Sequence, residues 1–249
     1  MRKLVALMTL GVASVFAFSA NAADPISYDY PVYKDYIPEY PEVDHGLKGS
    51  FYLRGSVAGN AMWSKEGDHP TIPTTFEIDR FGYGYSFGAG VGYETGDGLR
   101  FDVTVDRLIN NGMRATITGA PPLLDGEYSL DLRSTIALAN VYYDFGLSDL
   151  GLSAAGGAFG YVGAGAGVAY NDYIFTNPPA GALADTPGSN WTPAAAVMAG
   201  AGYDFGSVVA DLGYRGLYLH RIENTDAPAE YALNHNFIHE VRASVRYRF

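Results

Sequence analysis

The sequence has no cysteine, which excludes a disulfide framework and any thiolate metal site. Charged residues make up only 17% of it, and the basic ones are the scarcer: 16 Lys and Arg stand against 27 Asp and Glu. That balance argues against nucleic acid as a partner, because neutralising phosphates takes clustered Lys and Arg. After residue 22 no apolar run approaches the roughly 20 residues of a spanning helix. If this chain crosses a membrane it must do so as a closed barrel, since lipid offers nothing to unpaired backbone N–H and C=O groups.

What is abundant is aromatic and small: 20 Tyr, 13 Phe and 31 Gly, a composition suited to strands and tight turns. The start reads as a secretory signal over 1–22. Arg2 and Lys3 precede an apolar stretch from Leu4 to Phe18, and Ala20-Asn21-Ala22 is a small-x-small cleavage site. Its removal leaves 14 Lys and Arg against 27 Asp and Glu, a net charge of −13. Residues 23–47 are acidic and rich in Tyr and Pro (Asp24-Pro25, Tyr30-Pro31, Ile37-Pro38, Tyr40-Pro41), which breaks helix and sheet alike. They read as an extended periplasmic segment, either simply solvated or contacting the cell wall or a periplasmic partner through its tyrosines.

From residue 48 to 249 the dominant period is two. Tyr83, Tyr85, Phe87, Ala89, Val91 and Tyr93 alternate with Gly84, Ser86, Gly88, Gly90, Gly92 and Glu94. After Thr95-Gly96-Asp97-Gly98, a tight turn, Leu99, Phe101, Val103 and Val105 alternate with Arg100, Asp102, Thr104 and Asp106. A soluble sandwich would turn the apolar face inward and an outer-membrane barrel would turn it outward, so alternation alone leaves both open.

Three features favour the barrel. Eight strands, expected near 49–59, 82–94, 99–108, 128–145, 152–170, 192–205, 208–221 and 237–249, leave connections that alternate long (about 22, 19, 21 and 15 residues) and short (about 4, 6 and 2), the asymmetry of outer-membrane barrels. A strand ending recurs once per hairpin, at Gly92-Tyr93-Glu94, Tyr142-Tyr143-Asp144-Phe145-Gly146, Gly202-Tyr203-Asp204-Phe205-Gly206 and Arg246-Tyr247-Arg248-Phe249, and its tyrosines would ring one membrane interface. Finally, Phe237, His239, Val241, Ala243, Val245, Tyr247 and Phe249 share one face of the last strand. That ending resembles the signal read by the barrel assembly machinery, with Val241, Ala243, Val245, Tyr247 and Phe249 as its residues. The fold class expected is therefore all-β: an eight-stranded antiparallel transmembrane β-barrel with up-and-down topology.

Over residues 49–249 the chain resembles the small eight-stranded porin-family or opacity-type surface proteins of alphaproteobacteria, related to the OmpA transmembrane domain. The likeness is most specific at Tyr142 to Gly146, Tyr161 to Asn171 and His239 to Phe249. It implies an exported structural protein of the outer membrane, contributing to envelope integrity and surface properties. The implied partners are outer-membrane lipid and lipopolysaccharide, the assembly machinery and periplasmic chaperones. No OmpA-like peptidoglycan-binding domain is expected after the barrel.

Eight strands leave room inside for side chains or one small ligand. With the apolar face outward, Arg54, Glu94, Arg100, Asp102, Asp106, Asp204, Asp211, Arg215, Glu240, Arg242 and Arg246 point into the lumen, where paired ions would form a polar plug. Gly163, Gly165, Gly167, Ala194, Ala196, Gly200 and Gly202 would leave space there for larger side chains opposite. The fourth strand is irregular: Tyr128, Leu130 and Leu132 share one parity while Val141, Tyr143 and Phe145 share the other. This implies either a bulge or an outer half standing above the bilayer.

Other chemistry finds little support. The glycine runs at 88–92 and 163–167 lack the strand-to-helix context of a nucleotide-binding loop. His235 and His239, with His220, suggest a weak metal site, but a four-residue spacing is read as needing a helix to face one way, and a strand is expected. His220, His239, Ser244 and Glu240 are the only candidates for an enzymatic arrangement, and His239 and Ser244 fall on opposite faces. No cofactor, metal or enzyme activity is therefore expected. The acidic stretches Glu66-Gly67-Asp68-His69, Asp185, Glu223, Asp226 and Glu230 read as solvated loops or as adhesive or cation-bridged contacts. Trp63, Phe175 and Trp191 are loop aromatics suited to the outer interface. The alternatives to a structural role are a narrow porin and an adhesin acting through the long loops.

Overall fold

The computed structural model describes residues 49–69, 72–76, 78–117, 126–147, 157–176, 186–223 and 232–249. The expected signal peptide and the segment 23–47 lie outside these, as do Asp185, Asp226, Glu230 and the part of the expected fifth strand before Gly157. The described residues belong to the unit His45–Phe249. Its strands are β1 (Ser50–His69), β2 (Ile72–Phe76), β3 (Ile78–Arg80), β4 (Gly82–Glu94), β5 (Leu99–Ile117), β6 (Gly126–Gly146), β7 (Ala158–Thr176), β8 (Thr186–Asp204), β9 (Val208–Glu223) and β10 (Ala232–Arg248).

Eight long strands run antiparallel, each beside its neighbour in sequence, and β10 closes on β1. The two short strands extend the wall beyond β4, β2 pairing with β1 and β3 with β5. Closure removes every long sheet edge, so the backbone can be satisfied in lipid.

The register sets the width. Stepping across the ring from Leu53 through Val91, Val103, Ala139, Ala166, Ala195, Tyr218 and Phe237 returns to β1 at Trp63, ten residues further on. A stagger of that size over eight strands corresponds to a tilt of about 40° and a radius of about 8 Å. The bore therefore holds side chains and little else.

Alternation sorts these side chains. Phe51, Leu53, Val57, Val91, Val103, Val105, Val162, Val197, Val241 and Val245 are exposed on the outer wall, while Tyr52, Arg54, Asp102, Asp106, Arg215, Glu240 and Arg242 are buried inside. Phe51, Tyr143, Tyr203, Tyr247 and Phe249 girdle the end that carries the turns 95–98 and 205–207. Tyr83, Tyr85, Trp191 and Phe237 lie outward nearer the opposite, loop end. At a tilt near 40° the residues from Phe237 to Tyr247 rise about 25 Å along the axis, the height of an outer-membrane apolar band. The two short turns place Gly96, Gly98 and Gly206 at positive φ (87°, 96° and 97°), conformations that glycine adopts without steric cost. In the first, the Thr95 hydroxyl donates to the Asp97 carboxylate and holds that carboxyl below its ordinary pKa.

The strands outrun the expected boundaries. β1 continues to His69 rather than 59, β5 to Ile117 rather than 108, β7 to Thr176 rather than 170, β8 begins at Thr186 rather than 192, and β10 at Ala232 rather than 237. Residues 66–69 and Trp63 thus belong to β1, Phe175 to β7, Trp191 to β8 and Glu223 to β9, rather than to loops. The reason is the solvent: apolar-out alternation persists only where lipid bathes the wall, so a strand that rises into water reads as a loop. β6 shows this directly. It alternates without a break, with Tyr128, Leu130, Leu132, Ile136, Leu138 and Tyr142 all inward. Outward at the loop end stand Asp131, Arg133 and Thr135, so of the two alternatives it is the outer half above the apolar band that accounts for the parity. The bulge is in β5 instead. Gly112, at φ 77°, is inserted between Asn110 and Met113 and its N–H donates to Asp131 (3.1 Å), returning Met113 to the interior.

Candidate functional site

The interior is the candidate site, and it has three layers. At mid-height four charges from three strands form a balanced quartet. Asp106 on β5 accepts from Arg215 on β9 (2.6 Å) and Arg242 on β10 (2.8 Å), and Arg215 also donates to Glu240 (2.5 Å). Hydroxyls complete the set, Ser86 donating to Glu240 (2.6 Å) and Arg242 donating to Ser56 (2.7 Å). All four charged side chains are within 5% of full burial. The two acids and two guanidiniums balance in charge and four of the six guanidinium nitrogens are hydrogen-bonded, leaving Nη2 of Arg215 and Nε of Arg242 without a partner; mutual pairing is what makes such buried ions tolerable.

Toward the turn end lies a second network. Arg54 donates to Asp102 (3.1 Å), to the Tyr142 hydroxyl (2.7 Å) and to Ser244 (3.1 Å). Tyr52 and Asn140 also donate to Asp102, at 3.0 and 2.7 Å, and Ser244 donates to Asp211 at 2.8 Å. Arg100 grips Asp144 with two bonds (3.1 and 3.0 Å) and lies 4.0 Å over the Tyr142 ring. Arg246 reaches Glu94 at 3.3 Å, and Arg248 pairs with both Glu94 and Asp204. Glu94, Asp144, Asp204, Arg246 and Arg248 line a recess of about 350 Å³ that opens at the turn end.

The third layer was not legible beforehand. On the loop side of the quartet the bore is filled by Met62, Leu108, Met113, Leu130, Leu132, Ile136, Leu138, Leu217, Leu219, Ile222 and Ile238, all buried. The plug is thus polar only in part, and this corrects the expectation of a polar plug. Inward-facing leucines above the bilayer carry the same sequence signature as outward-facing ones within it, so parity alone leaves Leu130 and Leu132 open between a bulge and an outer half above the bilayer.

All eleven charged residues expected in the lumen lie on the inward parity of their strands. Missing from that set were Asp144 and Arg248, which follow the same parity, and the tyrosines Tyr52, Tyr142 and Tyr161. A phenol on the inward parity beside arginines was the available signal. Gly163 faces the Tyr142 ring, and a Cβ there would stand 2.4 Å from it. Gly163→Leu is expected to displace Tyr142 from Arg54 and to cost about 1–3 kcal/mol in urea unfolding from lipid. An unchanged midpoint would show that the ring has room to yield.

The other candidates separate. His239 faces outward against the Tyr214 hydroxyl (2.5 Å), whereas Ser244 is buried and donates to Asp211, so β10 sets them on opposite faces. His235 and His239 share the outer face. This corrects the reading that only a helix could align them, since any even spacing on a strand does so. Val241, Ala243, Val245, Tyr247 and Phe249 form the outward row of β10, and the Phe249 N–H donates to the Phe51 carbonyl (3.0 Å).

Comparison with known proteins places this architecture. No protein-family model matches the chain. Uncharacterized proteins of Brucella abortus, Brucella suis and Brucella melitensis are each 31% identical to it over 294 aligned residues, covering 98% of this chain and 98% of theirs. The chain belongs to this Brucella family. Among solved structures, Neisserial surface protein A is 22% identical, with a TM-score of 0.50 over 80% of this chain and 97% of that one. The outer membrane protein OprG of Pseudomonas aeruginosa is 14% identical, with a TM-score of 0.50 over 81% and 97%. These likenesses establish the fold, an eight-stranded outer-membrane β-barrel, for this member of the family.

Proposed function

We propose that the protein is a sealed barrel of the outer membrane that contributes to envelope integrity and surface properties rather than passing solutes. The observation that carries this reading is the filled bore. Among the described residues, an ion network, a charge-balanced quartet and an apolar layer succeed one another along the axis. A conducting path would have to part buried ion pairs and wet a cluster of leucines, both costly. Outside, the apolar wall and its aromatic girdles suit outer-membrane lipid and lipopolysaccharide as the surroundings.

The test is to refold the chain without residues 1–22 in detergent, confirm closure by a mobility shift on boiling, and insert it into planar bilayers. The expected result is a heat-modifiable protein without discrete conductance steps. Stable steps from the closed form would replace this reading with that of a narrow pore.

A further inference from the structure

At the loop end of the outer wall, β9 and β10 bring two imidazoles onto one phenol. The Tyr218 hydroxyl lies 2.8 Å from Nδ1 of His235 and 3.3 Å from Nδ1 of His220. The two histidines are cross-strand neighbours, their rings 6.2 Å apart and nearly perpendicular at 83°. Both are exposed on the outer face. We infer that His220, His235 and Tyr218 form a binding site for a late first-row divalent metal ion, copper(II) foremost.

The two hydrogen-bonded separations onto the phenol also fit two edges of a coordination polyhedron. Metal–ligand bonds of about 2.0–2.1 Å put adjacent donor atoms about 2.8–3.4 Å apart at angles between square and tetrahedral. The two observed separations span that interval. The donors are nitrogen and oxygen without thiolate, a set that suits copper(II) or nickel(II), and affinity rises toward copper along the first row. Among the described residues no three His, Asp or Glu gather in metal-binding geometry, so the phenol is the necessary third donor. Exposure leaves the remaining positions to water.

The backbone is bent to make this contact. His235 has φ 56°, the only described non-glycine residue at positive φ. Such a conformation is unfavourable for a residue with a Cβ and persists where the surroundings impose it. Here the buried Asn236 imposes it, donating to the carbonyls of Leu233 (2.9 Å) and Leu219 (3.3 Å). The nearest cation along β9, Arg221, is paired with Glu223 at 2.9 Å, which offsets its repulsion of a bound ion. Tyr214 and His239 form a second phenol–imidazole pair on the same face but lack a second imidazole, and so supply an internal control.

The probe is copper(II) sulfate, titrated into the refolded chain in detergent and followed by calorimetry, electron paramagnetic resonance and visible absorption. One tight equivalent is expected, with nitrogen hyperfine structure and a phenolate-to-copper charge-transfer band. His220→Ala and His235→Gly, the latter chosen because glycine adopts the same backbone angle, should each weaken it at least tenfold, and the double variant should lose it. Tyr218→Phe should abolish the charge-transfer band, while His239→Ala should change nothing. A mobility shift on boiling verifies that every variant is folded. No tight equivalent in the parent chain, or one that survives in the folded double variant, would overturn the proposal.

Discussion

Asp106→Asn is expected to be the most damaging single change in the molecule, lowering the unfolding free energy by about 3–5 kcal/mol. The substitution preserves volume but leaves Arg215 and Arg242 buried with Glu240 as their one remaining carboxylate. The charged groups cannot escape to water, because side chains fill the bore on both sides of them. Urea titration of the barrel in lipid vesicles measures the effect. Adding Arg242→Met should recover part of the loss by restoring one cation to one anion, so the two changes together should cost less than their sum. A loss below about 1 kcal/mol, in the range of exposed ion pairs, would mean that the quartet is wet and the bore open.

Val241→Arg carries the second largest expected effect, about 2–4 kcal/mol, the cost of a cation on the lipid face near the bilayer midplane. Val241 is 59% exposed on the outer wall, between the levels of Phe237 and Tyr247. The same change at Ser129, outward on the loop-end half of β6, should cost only a few tenths of a kcal/mol as an ordinary surface substitution. Together the two variants locate the lipid boundary. Equal, small effects at both positions would overturn the assignment of the apolar wall to lipid.

The legible parts of this protein are those where one strand face meets lipid. Over residues 82–94, 99–106 and 237–249, period-two alternation specifies strands and faces, and hence seven of the eleven inward charges. It stops short at 109–117 and 171–176, where the outer wall meets water and aliphatic side chains turn inward, and over 128–132 it leaves a bulge and an outer half above the bilayer both open. Helical logic is also unnecessary at His235 and His239, because a four-residue spacing puts both on one face of a strand as well as of a helix.

Local sequence is enough to specify that the chain forms antiparallel strands, which residues of each share a face, and that charge of both signs lies on one of those faces. Those properties follow from backbone pleat and local pattern. Which of those charges meet depends on the closed ring. Asp106 is 109 residues from Arg215 and 136 from Arg242, and no pairing of adjacent strands joins β5 to either β9 or β10. The ten-residue stagger of the closed ring brings them to one level, and the narrow bore lets side chains from non-adjacent strands touch across it. Stagger and closure are properties of the whole ring, so no single strand's pattern contains them.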